Sequence, residues 1–292
     1  MAMGLSWQQG PLSAGALGKF LVAESLPKRL LYVEPLRRRM RVRFADNWIA
    51  DSEQVMLLFE PARYPVAYFP EGDIVPGVLE RVEHSTQHPD LGRTAWFAVQ
   101  AGKHSAPRGA WQHTELPEYA AELNGRIAFA WRAMDAFYEE DERVLGHAAD
   151  PYHRIDIRQT SRRLIVRDGE RIIADTGRPL VLYESGFAPR WYVPRDDIQE
   201  SALALVKNQT FCPYKGICNY YDIGDSRMAA WSYLETYPGV DRVANLVSFE
   251  PDKISVYLDG KQLHLEPGQM VVPHGPDREL SMAEVSSVGK DH

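Results

Sequence analysis

The sequence predicts a mostly-β (α+β) protein made of two tandem copies of one small domain, and three observations predict it. Residues 39–99 align without a gap on residues 163–223, at an offset of 163 − 39 = 124 and with 18 identities. Each copy is dense in short runs of alternating apolar and polar residues bounded by turn signals, the pattern of half-buried strands. The repeat of about 120 residues is long enough for a core of its own, unlike the roughly 20–50-residue units of solenoids.

The shared residues include Asp51 with Asp175, Glu60 with Glu184, Tyr68 with Tyr192, Pro70 with Pro194, Asp73 with Asp197, Pro89 with Pro213 and Gly92 with Gly216. A four-residue shift then resets the offset to 231 − 111 = 120, pairing Trp111 with Trp231 and Phe129 with Phe249. This places a first copy at 37–145 and a second at 161–265. Residues 146–160, "GHAADPYHRIDIRQ" and its end, lack clear periodicity and read as a linker. Residues 1–36 form an N-terminal extension and 266–292 a C-terminal tail.

Within the first copy, "RRRMRVR" at 37–43 leads into a strand that turns Met40, Val42 and Phe44 inward and leaves its arginines solvated. In the second copy, "RRLIVRD" and "RIIADT" flank Asp168-Gly169, a hairpin turn, and "PLVLYES" continues the meander. Next, Asp197 and Glu200 stand three apart ahead of Ala202, Leu203 and Val206, the spacing of a capping box, so one short helix is expected here. "CNYYDI", "AAWSYL", "ANLVSFEP" and "KISVYLDG" read as further strands, with turns at Pro251-Asp252 and Asp259-Gly260. Each copy is thus expected to be one small, strongly bent antiparallel sheet with one short helix.

Composition narrows the function classes. With 45% hydrophobic and 25% charged residues the chain has ordinary globular composition. A net charge of −7 argues against a general nucleic-acid binder, because phosphate neutralisation needs clustered Lys and Arg. No run approaches the roughly 18 apolar residues of a membrane span. The stretch "GPLSAGALGKFLVAESLPKRL" is interrupted by Lys19 and has no basic segment before it, so no secretory signal and no membrane partner are expected. The expected compartment is the cytoplasm. Cys212 and Cys218 are the two cysteines, too few for a disulfide framework.

The copies differ where chemistry is plausible. "TFCPYKGICNYYDI" in the second is answered by "TQHPDLGRTAWFAV" in the first: Thr, Pro and Gly persist, while Cys212, Lys215 and Cys218 face His88, Leu91 and Thr94. A thiolate is stabilised by a nearby cation, and Lys215 follows Cys212 by three positions across a turn, which makes the two a candidate nucleophile and activator. The bland alternative is a small buried hydrophobe beside a solvated lysine. Glu184 ends a strand in both copies, which suits pairing with Arg195 or a turn cap as well as proton acceptance. Arg195, answered by Glu71 in the first copy, could hold a carboxylate or phosphate. Among the aromatics, Tyr214 and Trp191 lack aromatic counterparts in the first copy and are pocket candidates, whereas Tyr192 and Trp231 recur and suit a core as well as a pocket. Alternation sends Tyr220 and Tyr221 to opposite faces of their strand, so only one of them, here Tyr220, can line a given pocket. Two cysteines with five residues between them make poor zinc ligands, and His84 and His88, four apart at what would be a helix end, lack the intervening glutamate of a zinc protease. No metal and no cofactor are expected.

The ordered set of Glu184, "YVPRDDI", "TFCPYKG", the following tyrosines, Trp231, Tyr233 and "VSFEPDKISVYLDG" resembles the domain of unknown function 427 family. The resemblance covers nearly all of the second copy; the first departs from it at the "CPYKG" box. It implies a β-tent type of domain, the class that includes methionine sulfoxide reductase B and the drug-binding domain of cereblon. Some labels of that family read "nucleotidyltransferase-like", but the sequence has neither a Gly-rich phosphate loop nor a spaced pair of metal-binding aspartates. The expectation is therefore a small-molecule site in the second copy. One form is an enzyme using Cys212 with Lys215, assisted by Glu184 and Arg195, on an anionic or nucleotide-like metabolite. The others are a non-catalytic aromatic binding pocket and a site shared by the two packed copies, to which His88 would contribute.

Overall fold

The computed structural model describes residues 21, 30–60, 64–185 and 187–264. The bulk of the N-terminal extension and the C-terminal tail lie outside the described residues. Two compact units emerge, the first ending at Asp150 and the second beginning at Pro151. Both are built of antiparallel strands, and among the described residues no helix is long and apolar enough to cross a membrane.

In the first unit the strands are β1 (Tyr32–Pro35), β2 (Met40–Phe44), β3 (Asn47–Ser52), β4 (Met56–Phe59), β5 (Val66–Pro70), β6 (Leu79–His88), β7 (Gly92–Ala101), β8 (His104–His113), β9 (Arg126–Phe129), β10 (Ala136–Glu139) and β11 (Glu142–Val144). In the second they are β12 (Ile155–Gln159), β13 (Leu164–Asp168), β14 (Arg171–Thr176), β15 (Leu180–Glu184), β16 (Arg190–Val193), β17 (Ala204–Cys212), β18 (Gly216–Ile223), β19 (Ser226–Thr236), β20 (Val247–Phe249), β21 (Ser255–Leu258) and β22 (Lys261–Gln262). Each unit has one seven-stranded sheet, ordered β1-β4-β5-β9-β8-β7-β6 and β12-β15-β16-β20-β19-β18-β17, and one four-stranded sheet, β11-β10-β2-β3 and β14-β13-β21-β22. Adding eleven to every strand number of the first unit yields the second, so the duplication extends to topology.

This corrects the expectation of a single strongly bent sheet per copy. The reason lies in the two-residue period of the side chains, which gives the large sheet two apolar faces. In the second unit Leu164, Val166, Val256 and Leu258 of the small sheet share one core with Val193, Tyr221, Ile223, Ala230, Val247 and Phe249 of the large one. The opposite face of the large sheet carries a second core of Ile157, Leu182, Tyr192, Cys218, Tyr220, Trp231 and Tyr233. Tyr220 and Tyr221 do part to opposite faces.

The expected helix also gives way. Two 3-10 turns, Arg195–Asp197 and Glu200–Ala202, stand in its place, and the following residues extend as β17 against β18. Asp197 is not available as a cap, because its carboxylate accepts hydrogen bonds from Thr176 Oγ1 at 2.7 Å and Arg178 Nε at 3.0 Å. Likewise His84 and His88 lie on β6, a strand and not a helix end. The segment read as a linker contains β12, which pairs with β15 from Ile155↔Glu184 to Gln159↔Leu180. Four of the five arginines of 37–43 are partnered and not simply solvated: Arg38 with Glu139 at 2.6 Å, Arg39 with Asp51 at 2.5 Å, Arg41 with Asp141 at 2.7 Å and Arg43 with Asp46 at 3.0 Å.

Candidate functional site

Cys212 is the last residue of β17 and pairs with Gly216, the first of β18, so the "CPYKG" box is the tip of a hairpin. Gly216 is required there. Its φ is +105°, and a Cβ would lie 2.4 Å from the Glu235 carbonyl oxygen on the neighbouring strand. The tight tip, closed by Lys215 N–H donating to Cys212 O at 3.2 Å, turns the Lys215 side chain inward, where the residue is 4% exposed. Its ammonium donates to Glu184 Oε2 at the end of β15. The other carboxylate oxygen, Oε1, meets His153 Nε2 at 2.9 Å. The His153 ring stacks on Tyr214, with centroids 3.8 Å apart and planes 12° apart. Cys212 is half-buried beside this cluster and Cys218 is buried.

The aromatic face of the large sheet forms the floor. Lys215 Nζ lies 6.0 Å from the Tyr233 ring centroid, and Trp231 Nε1 donates to Tyr192 OH at 3.4 Å. The Tyr233 hydroxyl is buried beside the Cys218 thiol. Burial opposes ionisation of Glu184, but Lys215 and His153 outweigh it and hold the carboxyl at about 2. Burial also works against the Lys215 charge; Cys212, Glu184 and Tyr192 prevail and keep the ammonium above the ordinary lysine range. For Cys212, burial wins: it raises the thiol, with Glu184 adding to the rise, although Lys215 and the backbone N–H groups of Tyr214 and Lys215 pull the other way. The expected activation of the thiol by Lys215 is thus real in sign but outweighed. Burial pushes the Cys218 thiol up to about 12.

The sequence-derived candidates divide between the two faces. Cys212, Lys215, Glu184, Tyr214, Tyr192, Tyr220 and Trp231 belong to the face that carries the cluster. Arg195 does not join them. Its guanidinium donates to Asn245 O at 3.0 Å, Glu200 Oε1 at 2.5 Å, Tyr221 OH at 2.6 Å and Ser232 Oγ at 3.3 Å, on the side where Tyr221 packs between the sheets. Trp191 packs against that same inter-sheet core and lies under Arg162, 5.5 Å from its Cζ. Glu184 pairs with Lys215 and His153 in place of the anticipated Arg195. His153 escaped the sequence reading because it sits in an aperiodic segment with no counterpart in the aligned blocks. The alternation of Ile155 and Ile157 just after it was the usable signal, since a strand there carries the residues before it to the end of β15.

The first unit holds the same frame with different chemistry. Glu60 is again buried and carries an imidazole, but from the hairpin tip itself: His88 Nε2 lies 2.5 Å from Glu60 Oε1. The backbone N–H groups of Asp90 and Leu91 both donate to His88 Nδ1 at 3.1 Å, which fixes the proton on Nε2. His113, aligned with Tyr233, lies between Tyr68 OH at 2.9 Å and Thr94 Oγ1 at 3.0 Å. Burial, with His88 adding to it, depresses the His113 imidazole to about 4. Leu91, at the position of Lys215, is buried and lines an apolar cleft of about 280 Å³ with Leu31, Leu58 and Leu123. Every ring nitrogen of this network is engaged by a protein partner. Gly92 repeats the strained hairpin, with φ +74° and a Cβ position 2.1 Å from Glu115 O.

The sequence profile of the family described as Domain of unknown function (DUF427) matches residues 32–140 and again 156–260. No curated protein matches the chain.

Proposed function

The chain belongs to the DUF427 family and carries two tandem copies of its domain, and from that premise we propose that the second copy is the working one, with a small-molecule site at Cys212, Lys215, Glu184 and His153. One observation carries this reading: the buried Lys215–Glu184 pair is not needed by the fold. The same hairpin closes in the first unit with Leu91 at the lysine position, and burying an ion pair is commonly no more stabilising than burying hydrocarbon of similar volume. A desolvated ammonium held beside a half-buried thiol therefore suits a ligand better than it suits stability. Cys212 is the reactive group, Lys215 the electrostatic one, Glu184 and His153 set the position of Lys215, and Tyr214 stacks on His153. Tyr192, Tyr220 and Trp231 are floor. The first copy, with its imidazoles internally satisfied, serves as scaffold.

The test places the first copy's residues in the second, as Cys212→His with Lys215→Leu. Wild type and variant are each incubated with a metabolite extract, dialysed, and their retained small molecules compared by mass spectrometry. At least one species should be held by the wild type and lost from the variant. A retained set identical for the two proteins, empty or not, rejects the site.

A further inference from the structure

The cleft of the first unit lies where the second unit is closed from within. It opens between the residues leading into β1, the tip of the β6–β7 hairpin and the 3-10 segment Glu118–Leu123, with Leu31, Leu58, Leu91 and Leu123 in its walls. The strand register relates these walls to the second unit. Val33 stands opposite Leu58 as Ile157 stands opposite Leu182, so Leu31 corresponds to Ile155, and the tip residues Asp90 and Leu91 correspond to Tyr214 and Lys215. In the second unit a ring stack joins tip to strand: Tyr214 lies on His153, two residues before Ile155, with the planes 12° apart. Val240 there also replaces the smaller Ala120. The first unit carries a carboxylate at the position of the Tyr214 ring, and an open cleft beside it.

Tyr119 supplies a further wall. Its ring is 74% exposed, yet its hydroxyl donates to Asp90 O at 2.7 Å, which pins the ring between the 3-10 segment and the hairpin tip. A side chain already held in one place loses little further freedom when a ligand arrives. The second unit has Gly239 at the aligned position, so the fold itself does not require this ring.

We infer that the first unit binds a neutral, single-ring aromatic compound in this cleft, with the ring lying against Tyr119. The inference concerns the first copy alone and does not depend on the Cys212 site. A volume of about 280 Å³ is at the lower end of ligand pockets, about 300–1,000 Å³, and admits one ring with a short substituent. No basic side chain lines the cleft among the described residues, and an anion placed against hydrocarbon without a cation is costly. A flat ring gains stacking on Tyr119 that a saturated ring of similar size does not.

The experiment titrates para-cresol into the full chain by calorimetry, with methylcyclohexanol as the saturated counterpart and para-toluate as the anionic one. para-Cresol should bind saturably at one site per chain, about tenfold more tightly than either counterpart. Tyr119→Ala should weaken it by about tenfold, and Ala120→Phe, which fills the cleft, should abolish it. If Ala120→Phe does not fold, Tyr119→Ala, at an exposed position, still decides. Absence of saturable para-cresol binding, equal binding of methylcyclohexanol or para-toluate, or binding unmoved by Tyr119→Ala overturns the inference.

Discussion

At the scale of single residues, the informative comparison is between positions that the duplication places on the same frame. Lys215 and Leu91 occupy one backbone position, so the penalty of burying an ammonium is isolated from the rest of the fold. Removing one member of a buried pair leaves the other uncompensated, and such losses run to about 3–5 kcal/mol. Lys215→Met should therefore destabilise the protein by about 3 kcal/mol in urea denaturation. The double variant with Glu184→Gln should cost clearly less than the sum of the two single changes, and strict additivity in that cycle would show that the two groups do not interact. The same substitution removes a cation that favours the Cys212 thiolate. The alkylation rate of Cys212 at fixed neutral pH should fall about tenfold, and an unchanged pH profile would remove Lys215 from the thiol's surroundings. Cys212, Lys215 and Glu184 were legible because the copies differ, or agree, at those positions in otherwise parallel text. The partner of Glu184 was not, since His153 arrives from outside the aligned blocks and its role depends on where β12 is laid.

At the scale of elements, the two hairpins β6–β7 and β17–β18 position everything else. Their first glycines combine a left-handed backbone with a neighbouring carbonyl that a Cβ would strike, at 2.1 Å for Gly92 and 2.4 Å for Gly216. Gly92→Ala and Gly216→Ala should each lower stability by more than about 2 kcal/mol, the backbone term alone being about 1–2 kcal/mol. Gly216→Ala should in addition disturb Cys212 alkylation, whereas Gly92→Ala should leave it intact. Equal effects of the two on the thiol would contradict the assignment of the site to the second hairpin. The 195–202 segment shows how an element can be misread. Asp197 and Glu200 had the spacing of a capping box, but Thr176 and Arg178 claim the Asp197 carboxylate and Glu200 pairs with Arg195. Residues 204–212 then pair with β18, with an irregularity between Leu205 and Gln209. Local spacing reports a possible cap; the partners that claim Asp197 come from the end of β14 and the turn after it, about twenty residues away.

For the molecule as a whole, the two buried networks predict two separate pH limbs. In the second unit the Glu184 carboxyl is held at about 2, below its unfolded value of about 4.3. Its contribution is complete above about 4.3 and is lost as pH falls from there toward 2, because the unfolded chain takes up the proton first. In the first unit the His113 imidazole is held at about 4, below an unfolded value of about 6.5. That contribution is complete above about 6.5 and disappears as pH falls toward 4. Melting temperatures measured between pH 8 and 2.5 should therefore decline in two stages. His113→Tyr, the residue that the second copy carries as Tyr233, should flatten the upper stage and leave the lower; Glu184→Gln should do the reverse. A single stage abolished by either change would refute the separation. The amino-acid sequence by itself determined the duplication, the β class and the turns at Asp168-Gly169 and Asp259-Gly260, because strand periodicity, turn chemistry and repetition are local or pairwise properties of the chain. Only the tertiary structure decided that each copy divides into two sheets, that Arg195 and Trp191 face away from Cys212, and that His153 completes the glutamate's shell. Those outcomes depend on which face of a strand meets which neighbour and which of several partners reaches a charge first, and long-range packing sets both.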